Sequence, residues 1–259
     1  MKLKAFFFDI DGTLFSFKTH SIPASAKSAF NQLRNKGMKV IIATGRALSE
    51  INNLEDLEFD GYIAANGSCC TDSKGNIIVQ YPLSEKSLGK LALYLEEKPF
   101  PCTFFTNKGN FVNYIDEQIL MINQLVNLPT PPIKSVSKII AHDVLQLCAF
   151  IDSEREAELL KHVLTDCNGS RWHSAFVDFN AKHCSKATGM DRFMTFFHIE
   201  RGDTMAFGDG GNDIPMLKHA TIGVAMDNAS NEVKAAADYV TGSVDEDGII
   251  NALKYFNIL

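Results

Sequence analysis

Two aspartates separated by one residue follow an apolar run near the start of the chain, in FFFDIDGT (residues 6–13). In extended chain, side chains two residues apart point to the same side, so Asp9 and Asp11 converge. Converging carboxylates repel each other unless a shared proton or a cation lies between them, and Mg²⁺ is the hard divalent ion that suits such a pair. Gly12 allows a tight turn, and Thr13 offers a hydroxyl and an amide to an anion. The alternative without a ligand is that the strand leads into a polar loop here and both acids are exposed to solvent.

A second acidic turn occurs late in the chain, in GDGGND (residues 208–213). Its glycines let the backbone approach closely, and Asp209 and Asp213 can face one ion across the turn. A glycine-rich nucleotide loop is the rival interpretation. The segment lacks both the G-x-G-x-x-G spacing and the P-loop lysine, so a metal site is favoured.

Other side chains could bind an anion. Thr44 ends a strand and can donate its hydroxyl, although a capping or turn role is the plain alternative. Arg46 carries a fork of donors, or is a solvated arginine at a helix start. Lys186 lies in a first helical turn, against the helix dipole, which is explained either by a bound anion or by simple exposure. Lys182 is the alternative lysine.

The elements that position these residues are short apolar runs over 5–8, 40–43, 61–65 and 203–207. Runs of this kind are typical of strands buried on both faces of a parallel sheet. A helix with buried positions at 26, 29, 30 and 33 lies between the first two, which makes a right-handed parallel unit. The sequence therefore predicts an α/β fold, a doubly wound parallel sheet with its acids and hydroxyls along one edge.

The middle of the chain, residues 84–184, has a different pattern and predicts an inserted α+β domain of ordinary size. Residues 72–76 form a predicted hairpin turn just before it. Within the insert we expect helices over 84–97, 116–128 and 153–164, and strands over 102–105, 111–115, 145–151 and 172–179. Arg171, Trp172 and His173 could contact a ligand, although packing within a strand is the favoured interpretation.

The motifs DIDGT, ATGR (43–46) and GDGGND, taken in order, resemble those of the haloacid dehalogenase superfamily, and in particular its Cof-type phosphatases. That branch carries an α/β cap between its second and third motifs, where the insert falls. SKA at 185–187 is similar to the branch's SKG, and His183 stands where a glycine is usual. The resemblance implies a Rossmann-like core over 1–83 and 185–259 and a specificity cap over 84–184.

The resemblance also implies a role for each matched residue. Asp9 would be the nucleophile that forms an aspartyl phosphate, and Asp11 would be the general acid and base. Thr44 and Lys186 would neutralise phosphoryl oxygens. The implied ligands of Mg²⁺ come from Asp9, Asp11, Asp209 and Asp213, with Asp11 binding through its backbone carbonyl. Substrate or phosphate would contact the remaining matched positions, which are Gly12, Thr13, Gly45, Arg46, Asn66 and Asn212.

The implied reaction is Mg²⁺-dependent hydrolysis of small phosphorylated metabolites, with hexose phosphates the first expectation. A sugar-phosphate mutase or phosphotransferase is the alternative enzyme. A receiver-like module that accepts a phosphoryl group at an aspartate is the alternative outside catalysis. Such modules have no cap and are rarely this long.

Composition limits the remaining possibilities. The chain has 259 residues, 46% of them hydrophobic, and a formal net charge of −6. These values indicate a globular protein with no general attraction to nucleic acid or to an anionic membrane. We expect neither as a partner, and the start of the chain suggests the cytoplasm. The six cysteines show no zinc-type spacing and are expected to be reduced.

Overall fold

The structure is a computed structural model, and it describes residues 3–51, 54–55 and 57–259. Its contacts divide the chain into two compact units. The first runs to Val79 and resumes over Ser185–Leu259, and the second is Gln80–Cys184. The sequence prediction had its first boundary at 83/84 and its second at 184/185. Within the described residues, none of the helices combines the length and the apolar character needed to cross a membrane.

The strands of the described residues are given in chain order. They are β1 (Ala5–Phe8), β2 (Lys39–Ala43), β3 (Gly61–Ala64), β4 (Cys69–Asp72), β5 (Ile77–Gln80), β6 (Cys102–Thr106), β7 (Gly109–Val112), β8 (Val144–Ala149), β9 (Cys167–Ser170), β10 (Val177–Ala181), β11 (Thr204–Gly208), β12 (Ile222–Ala225) and β13 (Tyr239–Val240).

The α-helices follow the same order. They are α1 (Ala24–Asn35), α2 (Glu85–Glu97), α3 (Glu117–Leu125), α4 (Val136–Ile139), α5 (Ser153–His162), α6 (Lys186–Phe197), α7 (Ile214–His219), α8 (Asn231–Ala236) and α9 (Gly248–Tyr255). Single 3₁₀ turns at Leu48–Glu50, Ala65–Gly67 and Gly211–Asp213 follow strand ends near the predicted site.

The sheet of the first unit has the strand order β13-β12-β11-β1-β2-β3-β4-β5. Strands β13 to β3 pair in parallel, and β3 pairs with β4 antiparallel. Alternate residues of β1 pack on opposite faces: Phe6 and Phe8 in one apolar cluster, Ala5 and Phe7 in another. Burial on both faces explains the continuous apolar run and confirms the doubly wound α/β prediction.

The second unit has its own antiparallel sheet, with the order β7-β6-β8-β10-β9. One apolar cluster joins this sheet to α2 and α5. The predicted hairpin turn before this unit is present, because the Asp72 amide donates to the Asn76 carbonyl at 3.0 Å.

Only residues 177–179 of the predicted strand over 172–179 lie in a strand, β10, and the prediction is wrong for 172–176. Residues 171–176 form a connection, and the strands are β9 before it and β10 after it. Aromatic residues of this connection pack on one another, with the Trp172 and Phe176 ring centroids 5.1 Å apart. β9 has the sequence CNGS, which carries little strand propensity, so its pairing with β10 decides its conformation.

Candidate active site

Three carboxylates meet where β1 and β11 end. Asp9 follows β1 directly, Asp209 follows β11, and Asp213 ends the 3₁₀ turn after β11. Because β1 and β11 are parallel neighbours in register, Phe8 lies opposite Phe207 and the two acidic turns start side by side. One oxygen from each of Asp9, Asp209 and Asp213 lies within 4.8 Å of the others. This distance allows all three to contact one small cation.

Lys186 lies between two of these acids and is fully buried. Its Nζ donates to Asp9 Oδ1 at 2.6 Å and to Asp213 Oδ1 at 2.5 Å. The flanking Ser185 caps α6 by accepting from the Thr188 amide, which places Lys186 in the first turn. Simple exposure, the plain alternative for Lys186, is therefore excluded, whereas Lys182, the alternative lysine, is itself exposed.

Burial and mutual repulsion raise the pKa values of two of the acids. Burial raises the pKa of Asp9 well above its ordinary value, Lys186 opposes that rise, and Asp213 and Asp209 add to it. Burial and the charge of Asp213 raise the pKa of Asp209 to about 7, although the hydrogen bond from Thr13 lowers it. Negative charge in this cluster is therefore costly unless a cation joins it.

The loop after β11 is organised by Asp213. Its Oδ2 accepts the backbone amides of Asp209 at 3.0 Å and Gly210 at 2.9 Å. Because Oδ1 accepts from Lys186, each oxygen of Asp213 already takes part in a hydrogen bond. Asp213 thus fixes both the loop and the lysine, in addition to any contact with a cation.

Thr13 and Gly12 both lie against the Asp209 carboxylate. The Thr13 hydroxyl is buried and donates to Asp209 Oδ1 at 2.7 Å. Gly12 has a φ of +85°, and a Cβ there would overlap the same carboxylate. The prediction that they contact phosphate remains untested, and the structure places them against an acid.

Asp11 and Arg46 form a buried pair. Arg46 Nε donates to Asp11 Oδ2 at 2.7 Å, and Nη2 donates to Oδ1 at 2.6 Å. Burial lowers the pKa of Arg46, but the bonds to Asp11 outweigh it and raise that pKa above its ordinary value. The Asp11 side chain pairs with this arginine. It does not belong to the cluster of three acids, which are Asp9, Asp209 and Asp213.

The remaining predicted positions lie after β2, β3 and β11. The Thr44 hydroxyl accepts the Arg46 amide at 3.1 Å, and the Thr44 carbonyl accepts the Asn66 amide at 3.0 Å. Asn66 has a φ of +50°, and its Oδ1 accepts from Asn212 Nδ2 at 3.0 Å. A Cβ on Gly45 would lie 3.3 Å from Asn212 Nδ2, so this corner of the sheet edge is tightly packed.

Asn228 is a site residue that the sequence prediction missed. Its Nδ2 donates to the Gly12 carbonyl at 2.9 Å and to Asp209 Oδ2 at 3.1 Å. The available signal was its position, three residues after β12, which is the next parallel strand along the same edge. Site residues also follow β1, β2, β3 and β11, so β12 is the fifth strand of this edge that is followed by one.

Comparisons with known proteins agree on one family. The family model of haloacid dehalogenase-like hydrolases matches residues 6–253. The Bacillus subtilis protein named "Putative phosphatase YkrA" is 32% identical over 261 residues, which is all of both chains.

Two solved structures are also similar over nearly the whole chain. One is a sugar phosphatase of haloacid dehalogenase subclass IIB, BT4131, with a TM-score of 0.94 and 41% identity over 99% of this chain and 100% of that one. The other is BT1666, a phosphatase from Bacteroides thetaiotaomicron, with a TM-score of 0.92 and 37% identity over 100% of this chain and 96% of that one.

Proposed function

The chain belongs to the haloacid dehalogenase-like hydrolase family and is a phosphatase of that family, and we propose that it hydrolyses phosphate monoesters of small metabolites with the help of Mg²⁺. The observation that carries the proposal is the cluster of Asp9, Asp209 and Asp213 around Lys186 at the carboxyl edge of the parallel sheet. In open α/β sheets this edge is where ligands bind.

The acidic cluster fits a hard divalent cation. Its three donor groups are carboxylates, which Mg²⁺ prefers, and their oxygens are close enough to share one ion. With Asp11 the site holds four carboxylates, and within the described residues Lys186 and Arg46 form ion pairs with them. A divalent ion would balance the remaining charge. When bound, it would lower the repulsion between Asp9 and a phosphoryl oxygen.

Asp9 is the proposed nucleophile. One of its oxygens forms a bond to phosphorus while the bond from phosphorus to the leaving oxygen breaks, and that oxygen takes a proton from Asp11. In the second half of the reaction a water oxygen attacks the phosphorus and gives its proton to Asp11. The bond between Asp9 and phosphorus then breaks, which releases inorganic phosphate.

Lys186 and Thr44 are proposed to stabilise the charge of the phosphoryl group during transfer. Lys186 is held in place by Asp9 and Asp213 before any substrate arrives, so its ammonium needs no reorganisation. The Thr44 hydroxyl accepts from the Arg46 amide, and its own hydrogen can point to a phosphoryl oxygen. The corner formed by Asn66 and Asn212 could supply further amide donors to substrate.

The proposed substrates are sugar phosphates. BT4131, which is 41% identical, is named a sugar phosphatase, and hexose phosphates are accordingly the first class to test. We further propose that residues 84–184 act as a cap that contacts the leaving group and determines which substrate is accepted.

The test is phosphate release from a panel of hexose phosphates, nucleotides, pyridoxal phosphate and flavin mononucleotide, with Mg²⁺ and with a chelator. We expect release that needs the metal and is highest with a hexose phosphate. Isomerised sugar phosphate in place of free phosphate would indicate a mutase. A stable phosphoryl group on Asp9 without turnover would indicate a phospho-accepting module.

A further inference from the structure

Arg46 holds both oxygens of Asp11 at once. The two bonds, 2.7 Å from Nε to Oδ2 and 2.6 Å from Nη2 to Oδ1, have the parallel fork geometry of a bidentate pair. The side chains are 6% and 12% exposed, so water screens the pair little. An arginine that is exposed to solvent and binds a free anion would have neither the bidentate carboxylate partner nor this burial.

The guanidinium of Arg46 is itself held from behind. Its Nη1 donates to the Glu50 carbonyl at 3.3 Å. The backbone of Arg46 is also bonded at both ends, because its amide donates to Thr44 Oγ1 at 3.1 Å and its carbonyl accepts the Ala65 amide at 2.8 Å. Arg46 therefore connects the Asp11 carboxylate to the ends of β2 and β3.

We propose that Arg46 is a positioning residue for Asp11, and that it acts on the reaction through that carboxylate rather than by contacting the phosphoryl group. This inference rests on the proposed function, in which Asp11 moves the proton. A general acid must keep its oxygen within hydrogen-bond reach of the leaving oxygen, and a carboxylate on a short flexible side chain needs a partner to hold it there. The fork of Arg46 fixes both the place and the plane of the carboxylate.

The role of Arg46 should depend on the leaving group. A sugar alkoxide is a poor leaving group and needs the proton from Asp11 as the bond from phosphorus to oxygen breaks. A 4-nitrophenolate leaves without that proton. Misplacing Asp11 therefore slows hydrolysis of glucose 6-phosphate more than hydrolysis of 4-nitrophenyl phosphate. A residue that binds the phosphoryl group would affect both substrates equally, since both carry the same group.

The experiment is a double-mutant cycle with Arg46→Ala, Asp11→Asn and the double variant, in the presence of Mg²⁺. With glucose 6-phosphate, Arg46→Ala should lower kcat by about 100-fold, within the range usual for general acid catalysis. With 4-nitrophenyl phosphate the loss should stay below about 10-fold. In the Asp11→Asn background, Arg46→Ala should cost less than about 3-fold more, because residues that act as one unit are not additive.

Two further variants keep the test independent of folding. Arg46→Lys retains the charge but offers a point donor in place of a fork, so it should fold normally and recover kcat in part. Arg34→Ala removes an exposed arginine that pairs with Glu58, and it should leave both rates unchanged. Melting curves show whether each variant is folded.

Several results would overturn the proposal. They are equal losses on the two substrates, an additive loss in the Asp11→Asn background, or full recovery of kcat in Arg46→Lys. Failure of the proposed function would look different, because the wild-type protein would then release phosphate from neither substrate.

Discussion

The buried lysine is the residue that most constrains this site. Lys186 has no exposed surface, and it touches one carboxylate from each of the two strand ends, Asp9 and Asp213. A buried charge of this kind is tolerated because it is paired and hydrogen-bonded on both sides. The same ammonium therefore contributes to folding as well as to the proposed chemistry.

Replacing this lysine should harm stability and activity together. Lys186→Met leaves two buried acids without their shared cation, so the free energy of unfolding should fall by about 3–5 kcal/mol. Urea denaturation measures the change, and phosphate release should fall to background. Lys182→Met is the matched control at an exposed lysine four residues away and should change neither quantity. Equal effects of the two substitutions would contradict the claim that the buried ion pairs of Lys186 support stability and activity.

The nucleophile assignment is tested at Asp9 alone. Asp9→Asn keeps the shape of the side chain but removes the attacking oxygen charge, so turnover should drop by at least about 10³-fold. The fold should persist, because the amide still offers an oxygen to Lys186 and one repulsive charge is gone. Phosphate release and a melting curve together give the answer. Substantial turnover in a folded variant would contradict the assignment.

At the level of elements, the site depends on how tightly the loops after β1 and β11 approach each other. Gly12 lies in the left-handed region, and a Cβ there would be 2.8 Å from Asp209 Cγ. The backbone at Gly12 can therefore lie against Asp209 only because residue 12 has no side chain.

Gly12→Ala should therefore displace the Asp209 carboxylate and weaken Mg²⁺ binding and phosphate release by at least about 10-fold, as expected when a metal-site carboxylate is displaced. Gly75→Ala separates this overlap from backbone strain. Gly75 has a similar φ of +81° in the hairpin turn, but nothing lies within 4 Å of its added Cβ. That control should lose about 1 kcal/mol of stability and keep metal affinity. Titration calorimetry with Mg²⁺ compares the two, and equal affinities would contradict the overlap argument.

The connection between β9 and β10 makes a different prediction. Arg171 donates to Glu156 at 2.7 Å, to the Ser174 and Phe176 carbonyls at 3.1 and 3.0 Å, and to the Ile151 carbonyl at 2.9 Å. These bonds assign it to the loop structure of the second unit. Arg171→Ala should lower the free energy of unfolding by about 2 kcal/mol. The KM for the best substrate should not change, and a raised KM with intact stability would instead support contact with a ligand.

For the whole molecule, the raised pKa of Asp209 links stability to pH and to metal. In the metal-free protein this pKa is about 7, against an ordinary value of 3.8. Between these values the folded protein holds a proton that the unfolded chain has lost. Metal-free stability should therefore fall as pH rises through this window.

Mg²⁺ should reverse that trend, because it replaces the proton on the cluster. The increase in Tm on adding Mg²⁺ should be larger at about pH 8 than at about pH 6, where the metal must displace the proton of Asp209. Scanning calorimetry with Mg²⁺ and with a chelator measures both values. An increment that is independent of pH would mean that Asp209 does not bind the ion.

The sequence by itself determined the sheet and the place of the site. Strands buried on both faces read as unbroken apolar runs, and the polar residues after such runs must gather at one edge because parallel strands end together. Asp9, Asp209 and Asp213 meet for this reason, and the family resemblance had implied all three as ligands of one metal ion. The fold prediction succeeded for the same reason, since local pattern and global packing agree in the first unit.

Tertiary structure alone decided which partner each polar side chain takes. Nothing in the sequence separates an arginine that binds phosphate from one that holds Asp11, because the pair joins residues 35 positions apart. The burial of Lys186, the contact of Thr13 with Asp209 and the role of Asn228 are likewise set by long-range approach of loops. Strand β9 shows the same limit, because its conformation comes from its neighbour rather than from its own residues.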